Sequence, residues 1–204
     1  MPGPETGSNP ARLYPRSRPP NLLRCIAITA IVFLILVGLA ILIFWLVVRP
    51  SKLEYSVDDA SVHGFNLTGA NELNASFNLT LRADNHNHRV GVYYDTFDVE
   101  VWISDQRVAF TEVAPFYQGH RNVTTIEVDP MARSVPLLTS VADNIKHDRT
   151  AGVVEMEVRV RARIRFKVGL AKTRHYVMTV DCSPVVVHFA RSTRFVRTYC
   201  DVDI

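Results

Sequence analysis

The run from Ile26 to Val48 constrains this chain more than any other feature. It holds 23 consecutive residues and no charged side chain. Coiled as a helix it spans about 35 Å, enough to cross a hydrocarbon core of about 30 Å with some tilt. A core helix of a soluble domain would carry a polar stripe, and this run has none. A cleaved signal peptide has a shorter apolar segment, about 7–15 residues, closed by small residues. Here the run closes on Val47-Val48-Arg49-Pro50, which offers no such site. The reading is an uncleaved signal-anchor.

Two independent features orient it. Four Asn-x-Ser/Thr sequons, at Asn66, Asn74, Asn78 and Asn122, all follow the run and none precedes it. Arg12, Arg16, Arg18 and Arg24 precede it, against Arg49 and Lys52 on the far flank. An Arg/Lys excess marks the cytoplasmic side. The N-terminus is therefore expected inside and the C-terminal bulk in the lumen or outside the cell, on a single-pass membrane protein. Trp45 suits an interfacial anchor. Gly38 has no small residue four positions away to make a helix-packing motif.

These signals divide the chain. Residues 1–24 hold six of the eleven prolines and read as a disordered basic cytoplasmic tail, whose arginines serve as a topology signal or touch anionic headgroups. Residues 25–48 are the transmembrane helix, 49–60 a juxtamembrane linker, and 61–204 one folded ectodomain. That length buries a substantial core without metal. Cys25, at the cytoplasmic edge, is either an S-acylation site or an unmodified thiol. Cys182 and Cys200 are the one cysteine pair outside, where disulfides persist. Joined, they close a loop of about 18 residues and tie the C-terminal strand to the domain, worth about 3 kcal/mol.

The ectodomain alternates with period two, the mark of half-buried strands. In 74–83, Phe77, Leu79, Leu81 and Ala83 fall on one face and Asn74, Ser76, Asn78, Thr80 and Arg82 on the other, so two sequon asparagines face solvent. Phe97, Val99, Val101 and Ile103 form a second apolar face, with Trp102 on the polar parity. Arg107–Glu112 and Asn122–Val128 read as short strands. Val154–Val168 alternates longest; at about 3.3 Å per residue it approaches 50 Å, so a bend or bulge is expected within it. His175–Cys182 and Val185–Val196 follow. Ser134 is a candidate cap for a short helix near Pro136, with Leu138, Val141, Ala142 and Ile145 at helical spacing. Strands with one short helix point to a mainly β fold, an antiparallel β-sandwich.

Charge is unevenly placed. Residues 50–158 carry net −8 and residues 159–204 net +7. The sharpest surface feature is Arg159, Arg161, Arg163, Arg165 and Lys167, five alternate cations forming a row about 6.6 Å apart on one face. Two readings stay open: an ordinary solvated face paired across strands with Asp98, Glu100 and Glu127, or a basic face for an anionic partner. Outside a cell, acidic wall polysaccharide or lipid headgroups suit it, and nucleic acid does not.

Asn85-His86-Asn87-His88-Arg89 followed by Gly91-Val92-Tyr93-Tyr94-Asp95 resembles an Asn-Pro-Asn-x-Arg…Tyr-Tyr-Asp signature, with His86 where proline is usual. Pro115-Phe116-Tyr117-Gln118-Gly119-His120 and the closing Cys200-Asp201-Val202-Asp203 add to the match. From about residue 20 to the end, the chain resembles the plant harpin-induced-like, non-race-specific-disease-resistance-like family, whose ectodomain is of the late embryogenesis abundant type-two group. The resemblance implies a plasma-membrane protein of stress and pathogen responses with an immunoglobulin- or fibronectin-like β-sandwich outside and no catalytic residues; Asn85, Asn87, Arg89, Tyr93, Tyr94 and Asp95 are its motif positions.

Catalytic and cofactor motifs were sought. There is no His-Glu-x-x-His, no Gly-x-Ser-x-Gly, no phosphate-cradling loop and no calcium loop. His86 and His88 could share a strand face as metal ligands, but no third ligand stands near them. No cofactor or metal is expected. Three functions remain: an anchored interaction module for wall polysaccharide, membrane or receptor proteins; a lipid-handling sandwich; and, least favoured, an enzyme assembled from distant residues.

Overall fold

The computed structural model describes residues 3, 22–48, 52–189 and 194–204. The chain divides into two compact units, one ending at Val47 and one beginning at Val48.

The first unit is helix α1, Leu22–Val48. From Arg24 to Ile43 every side chain is exposed, the apolar ones included. It is long and apolar enough to cross a membrane. The Thr29 hydroxyl bonds back to the Cys25 carbonyl at 2.9 Å, which satisfies the one hydroxyl in the run's first turns. The tail up to Asn21, Gly3 apart, and the Trp45 side chain lie outside the described residues.

The second unit is antiparallel β throughout, with one short helix, as the alternation predicts. Its strands are β1 (Glu54–Leu67), β2 (Glu72–Asn85), β3 (Val90–Ile103), β4 (Gln106–Val113), β5 (Phe116–Gln118), β6 (Asn122–Val128) and β7 (Met131–Pro136). Helix α2 (Thr139–Ala151) follows, then β8 (Val153–Val168), β9 (Ala171–Lys172), β10 (Tyr176–His188) and β11 (Thr198–Asp203). All are hydrogen-bonded into one sheet. Pairing runs β4–β3–β8–β10–β11–β1–β2, and β2 carries β6 along one half and β7 along the other. The Phe110–Met131 pair joins β4 to β7, so the path returns to its start.

The inward faces enclose a single core. On β2, Leu73, Phe77, Leu79, Leu81 and Ala83 are buried in strict alternation. Each large buried side chain contributes about 1.5–3 kcal/mol, and a one-residue slip would turn the whole set outward. Between β6 and β7 stands Pro130, which has no N–H for the ladder. Its carbonyl still accepts from the Phe77 N–H at 3.0 Å.

Several expectations are corrected. Residues 49–60 were read as linker, yet β1 starts at Glu54, and Leu53, Tyr55, Val57 and Ala60 belong to the core. β8 runs unbroken for 16 residues; the irregularities sit on its neighbours, at Tyr94/Thr96 on β3 and Cys182/Val185 on β10. The second contains the cis Ser183–Pro184 peptide. A strand was expected over Val185–Val196; β10 ends at His188, and the last strand is β11. Part of that stretch, 190–193, lies outside the described residues.

Ser134 does not cap α2. It sits in β7 with positive φ (47°), its N–H bonded to Asn74 Oδ1 at 2.9 Å. The helix is preceded by Leu138, which is exposed; Gln106 Oε1 accepts the Leu138 N–H at 3.0 Å while Gln106 Nε2 donates to the Pro136 carbonyl at 2.8 Å. Val141, Ala142 and Ile145 pack inward as their spacing requires, and left-handed Gly152 (φ 79°) ends the helix.

Candidate functional site

Two surfaces of the ectodomain bring together the residues singled out in the sequence: the outer face of β8, and the end of the domain where the β2–β3, β5–β6 and β8–β9 turns meet.

All five cations of the β8 row lie on its outer face, but their surroundings differ. Arg159 is held at two points by Glu157 (2.8 Å each), lies 3.7 Å from Asp181, and stacks its guanidinium 4.5 Å from the Trp102 ring. The Glu157 bond raises the Arg159 pKa further. Arg165 makes a two-point pair with Asp95 (2.8 and 2.5 Å), which His175 also approaches at 3.3 Å. The Arg165 hydrogen bond is the chief cause holding the Asp95 carboxyl below its ordinary pKa.

The middle of the row is different. Arg161 and Arg163 are exposed, and among the described residues no carboxylate lies within 4 Å of either. Asp98 is the register partner of Arg161 on β3 without forming an ion pair. Glu100, opposite Arg159, is instead taken by Arg107 (2.8 Å) and the Trp102 Nε1–H (2.9 Å). Glu127 lies on β6, opposite Thr80 of β2, and is no strand partner of the row. None of the three cross-strand partners expected for the row forms an ion pair with it among the described residues; Glu157, Asp181 and Asp95 hold Arg159 and Arg165 instead.

At the turn end, Asn85 is the hub. It is fully buried, and its Nδ2 donates to the Val90 and Gly119 carbonyls, both at 2.9 Å. Its Oδ1 accepts from the Asn87 backbone N–H (3.1 Å) and Asn87 Nδ2 (2.9 Å). Asn87 is buried too, and its carbonyl accepts the Arg121 N–H at 3.0 Å. One side chain therefore locks two turns together, which explains an asparagine in a buried position. His86, at the position where proline is usual, is exposed and bonds Glu54 at 3.1 Å and Asp84 at 3.5 Å. His88 contacts Arg121. Among the described residues, no three His, Cys, Asp or Glu side chains converge to hold a metal.

The two motif tyrosines part ways. Tyr94 points inward, stacked 4.3 Å from Phe116, and donates to Gln118 Oε1 (3.1 Å) while accepting from the Tyr55 hydroxyl (2.7 Å). Gln118 is fully buried and gives its Nε2 hydrogens to the Ala83 and Asn122 carbonyls. Burial drives the Tyr94 pKa up to about 12 and the Tyr55 pKa well above its ordinary value. Tyr93 points outward, 4.5 Å from Tyr117, with the Lys172 ammonium 4.3 Å from its ring and the Lys167 ammonium 5.4 Å from that of Tyr117. Gly91 makes room: a Cβ there would collide with the Tyr117 hydroxyl and stand 2.8 Å from its Cζ. Arg89 is exposed and shares a hollow with His88, His120, Tyr117 and Lys167.

Of the sequons, Asn66, Asn78 and Asn122 are exposed, and Asn74 is half-buried. Cys182 and Cys200 are disulfide-bonded, their Cα atoms 4.2 Å apart. The residues missed in the sequence reading are Tyr55, Lys172 and Leu170. Tyr55 lay in the supposed linker, and the only signal for the other two was the Gly169-Leu170 turn between lysines.

The late embryogenesis abundant family model matches residues 80–182, which run from β2 to the Cys182 disulfide. NDR1/HIN1-like protein 1 of Arabidopsis thaliana is 34% identical over 172 residues, covering 83% of this chain and 82% of its own length. NDR1/HIN1-like protein 3 of the same plant is 33% identical over 174 residues, covering 83% and 75%. Among solved structures, the solution structure of another A. thaliana protein covers 72% of this chain and 88% of its own at 12% identity, with a TM-score of 0.35. The domain is thus of the late embryogenesis abundant class. Within that class, the chain belongs to the NDR1/HIN1-like family.

Proposed function

We propose that this chain is a non-enzymatic, single-pass plasma-membrane protein of plant stress and defence responses. Its N-terminus lies in the cytoplasm, and it presents a glycosylated β domain outside the cell to wall polymers, membrane or receptor proteins. Membership of the NDR1/HIN1-like family supports the stress and defence role. The exposed apolar α1 supports the anchor, and the all-downstream sequons with the upstream arginines support the orientation.

The observation that carries the interaction role is the exposed Arg161–Arg163 pair, without a carboxylate within 4 Å among the described residues. Adjacent cations without a carboxylate partner, between the paired Arg159 and Arg165, give a focused positive surface for an anionic partner. The alternative, an acyl chain housed between sheet faces, draws no support from the interior, which Phe77, Tyr94, Phe97, Ile164 and Met178 fill.

The test is retention of right-side-out plasma-membrane vesicles carrying the full chain on immobilised polygalacturonate across a salt series. Arg161→Glu with Arg163→Glu is expected to abolish low-salt retention while leaving thermal unfolding unchanged. Equal retention of wild type and variant at low salt removes the role of this face.

A further inference from the structure

The turn end carries a second cationic surface, separate from Arg161 and Arg163, and one apolar side chain that the fold does nothing to cover. Leu170, at the tip between β8 and β9, is completely exposed (104%). Gly169 beside it has φ 58°, the left-handed geometry of a tight reversal. Lys167 and Lys172 face each other across the hairpin just behind the tip. Behind them stand Tyr93 and Tyr117, with Tyr117 nearly half exposed (45%). Arg89 and His120 line the adjoining hollow, and Arg121 is tied to the same group through the Asn87 carbonyl.

An apolar tip, a collar of lysines whose ammonium groups lie over tyrosine rings, and those tyrosines behind them are the arrangement that suits a membrane–water interface. Carboxylates do occur around the start of β1. Glu54 and Asp84 are both bonded by His86, and Asp201 lines a shallow hollow with Lys52 and Glu54. None of these lines the hollow beside Leu170.

We propose that the turn end bearing Leu170 docks on an anionic lipid surface, with Leu170 entering the headgroup layer and Lys167, Lys172, Arg89 and Arg121 meeting its negative charge. This rests on the membrane-anchor reading above. Acidic polysaccharide is the competing occupant. Asn122 opens β6 at this same end, opposite Asn85, so docking requires Asn122 to be free of glycan.

The experiment is hydrogen exchange of the full, unglycosylated chain in nanodiscs of phosphatidylcholine alone or mixed with phosphatidylserine, with the chain in detergent as reference. Amides of 167–172 and 86–91 are expected to exchange roughly tenfold more slowly in the anionic nanodiscs than in detergent. Those of 104–106, at the other end of β3, should not change. Leu170→Ser combined with Lys172→Gln should abolish the slowing without altering thermal unfolding. A chain retained in the nanodiscs but unslowed at 167–172 overturns the docking and leaves the anchor intact. A chain that does not enter nanodiscs at all overturns the anchor reading instead. Equal slowing on adding soluble polygalacturonate to the detergent sample, with none from the bilayer, overturns docking in favour of a polysaccharide site.

Discussion

Asp95 grips Arg165 at two points because β3 carries one residue more than β8 at that level. Tyr94 pairs with Ile164 and Thr96 with Arg163, leaving Asp95 as the extra residue. Tyr94 and Phe97 both face the core, so the bulge leaves Asp95 and Thr96 side by side outside it, and the Asp95 carboxylate closes onto Arg165 of the neighbouring strand (2.8 Å to Nε).

Asp95→Asn should therefore loosen the β3–β8 pairing locally and make stability less sensitive to acid. In the fold the Asp95 carboxyl sits below its ordinary pKa, chiefly through the Arg165 hydrogen bond. A depressed pKa contributes stability that is complete above the unfolded value, about 3.9 for aspartate, and is lost as pH falls through the folded value. The wild-type melting temperature should drop below about pH 4 more steeply than that of Asp95→Asn, by amounts that thermal denaturation across pH 2–6 will read. Parallel curves would show that the pair contributes nothing to folding.

The buried hydroxyls give a prediction at the other end of the pH scale. Tyr94 both accepts from Tyr55 and donates to Gln118. Tyr94→Phe strands the Gln118 carbonyl oxygen and the Tyr55 hydroxyl together, at about 1–3 kcal/mol for each buried group left unpaired. Tyr55→Phe leaves the Tyr94–Gln118 bond standing and should cost less. Burial holds the Tyr94 pKa near 12, so the stability of the neutral form is complete below about pH 10 and lost as pH rises from there toward the folded value. Denaturant titrations at pH 8, 10 and 11 should show that loss in wild type and a smaller one in Tyr94→Phe.

The disulfide should act on one strand rather than on the whole domain. β11 meets β1 over three register pairs and β10 over three more, and Cys200 is bonded to buried Cys182 on β10. The joint substitution Cys182→Ser and Cys200→Ser opens an 18-residue loop, which costs about 3 kcal/mol. Amides of β11 should lose exchange protection, while those of β2, β3 and β8 keep most of theirs. Uniform loss across all strands would mean that β11 is integral to a single cooperative unit.

How far the sequence revealed this molecule depends on whether a signal was local. The alternation of β2 and β8 by itself places Phe77, Leu79, Val158 and Val160 in the core, because period two is written in neighbouring residues. β1 escaped notice because bulges at Val57/Asp59 and His63/Asn66 break its alternation. β11 alternates only between half-buried and exposed positions, and what makes it a strand is pairing with Tyr55–Val57, far away along the chain. The row on β8 was visible as a row. That Arg159 and Arg165 alone are held by carboxylates among the described residues was not, since that depends on where Asp95, Glu157 and Asp181 arrive in space. The turn motif was visible as a resemblance, but the reason for its asparagine, one amide bridging Val90 and Gly119, needed the register of three strands.

The sequons should not be used equally. Asn66, Asn78 and Asn122 are exposed, whereas Asn74 is half-buried and its Oδ1 accepts the N–H of Ser134, a residue held at positive φ. Asn74 and Asn78 also share the outer face of β2, about 13 Å apart at ordinary strand rise, so two glycans there crowd each other. Single Asn→Gln variants expressed in plant cells and treated with endoglycosidase should show a lost mobility step for Asn66 and Asn78 and the smallest change for Asn74. Asn74→Gln should in addition lower the melting temperature, because the Ser134 N–H loses a well-placed acceptor at the β2–β7 junction. A full glycan step at Asn74 with unchanged stability would mean that the Ser134 contact yields readily, and no glycan at any of the four positions would remove the extracellular orientation itself.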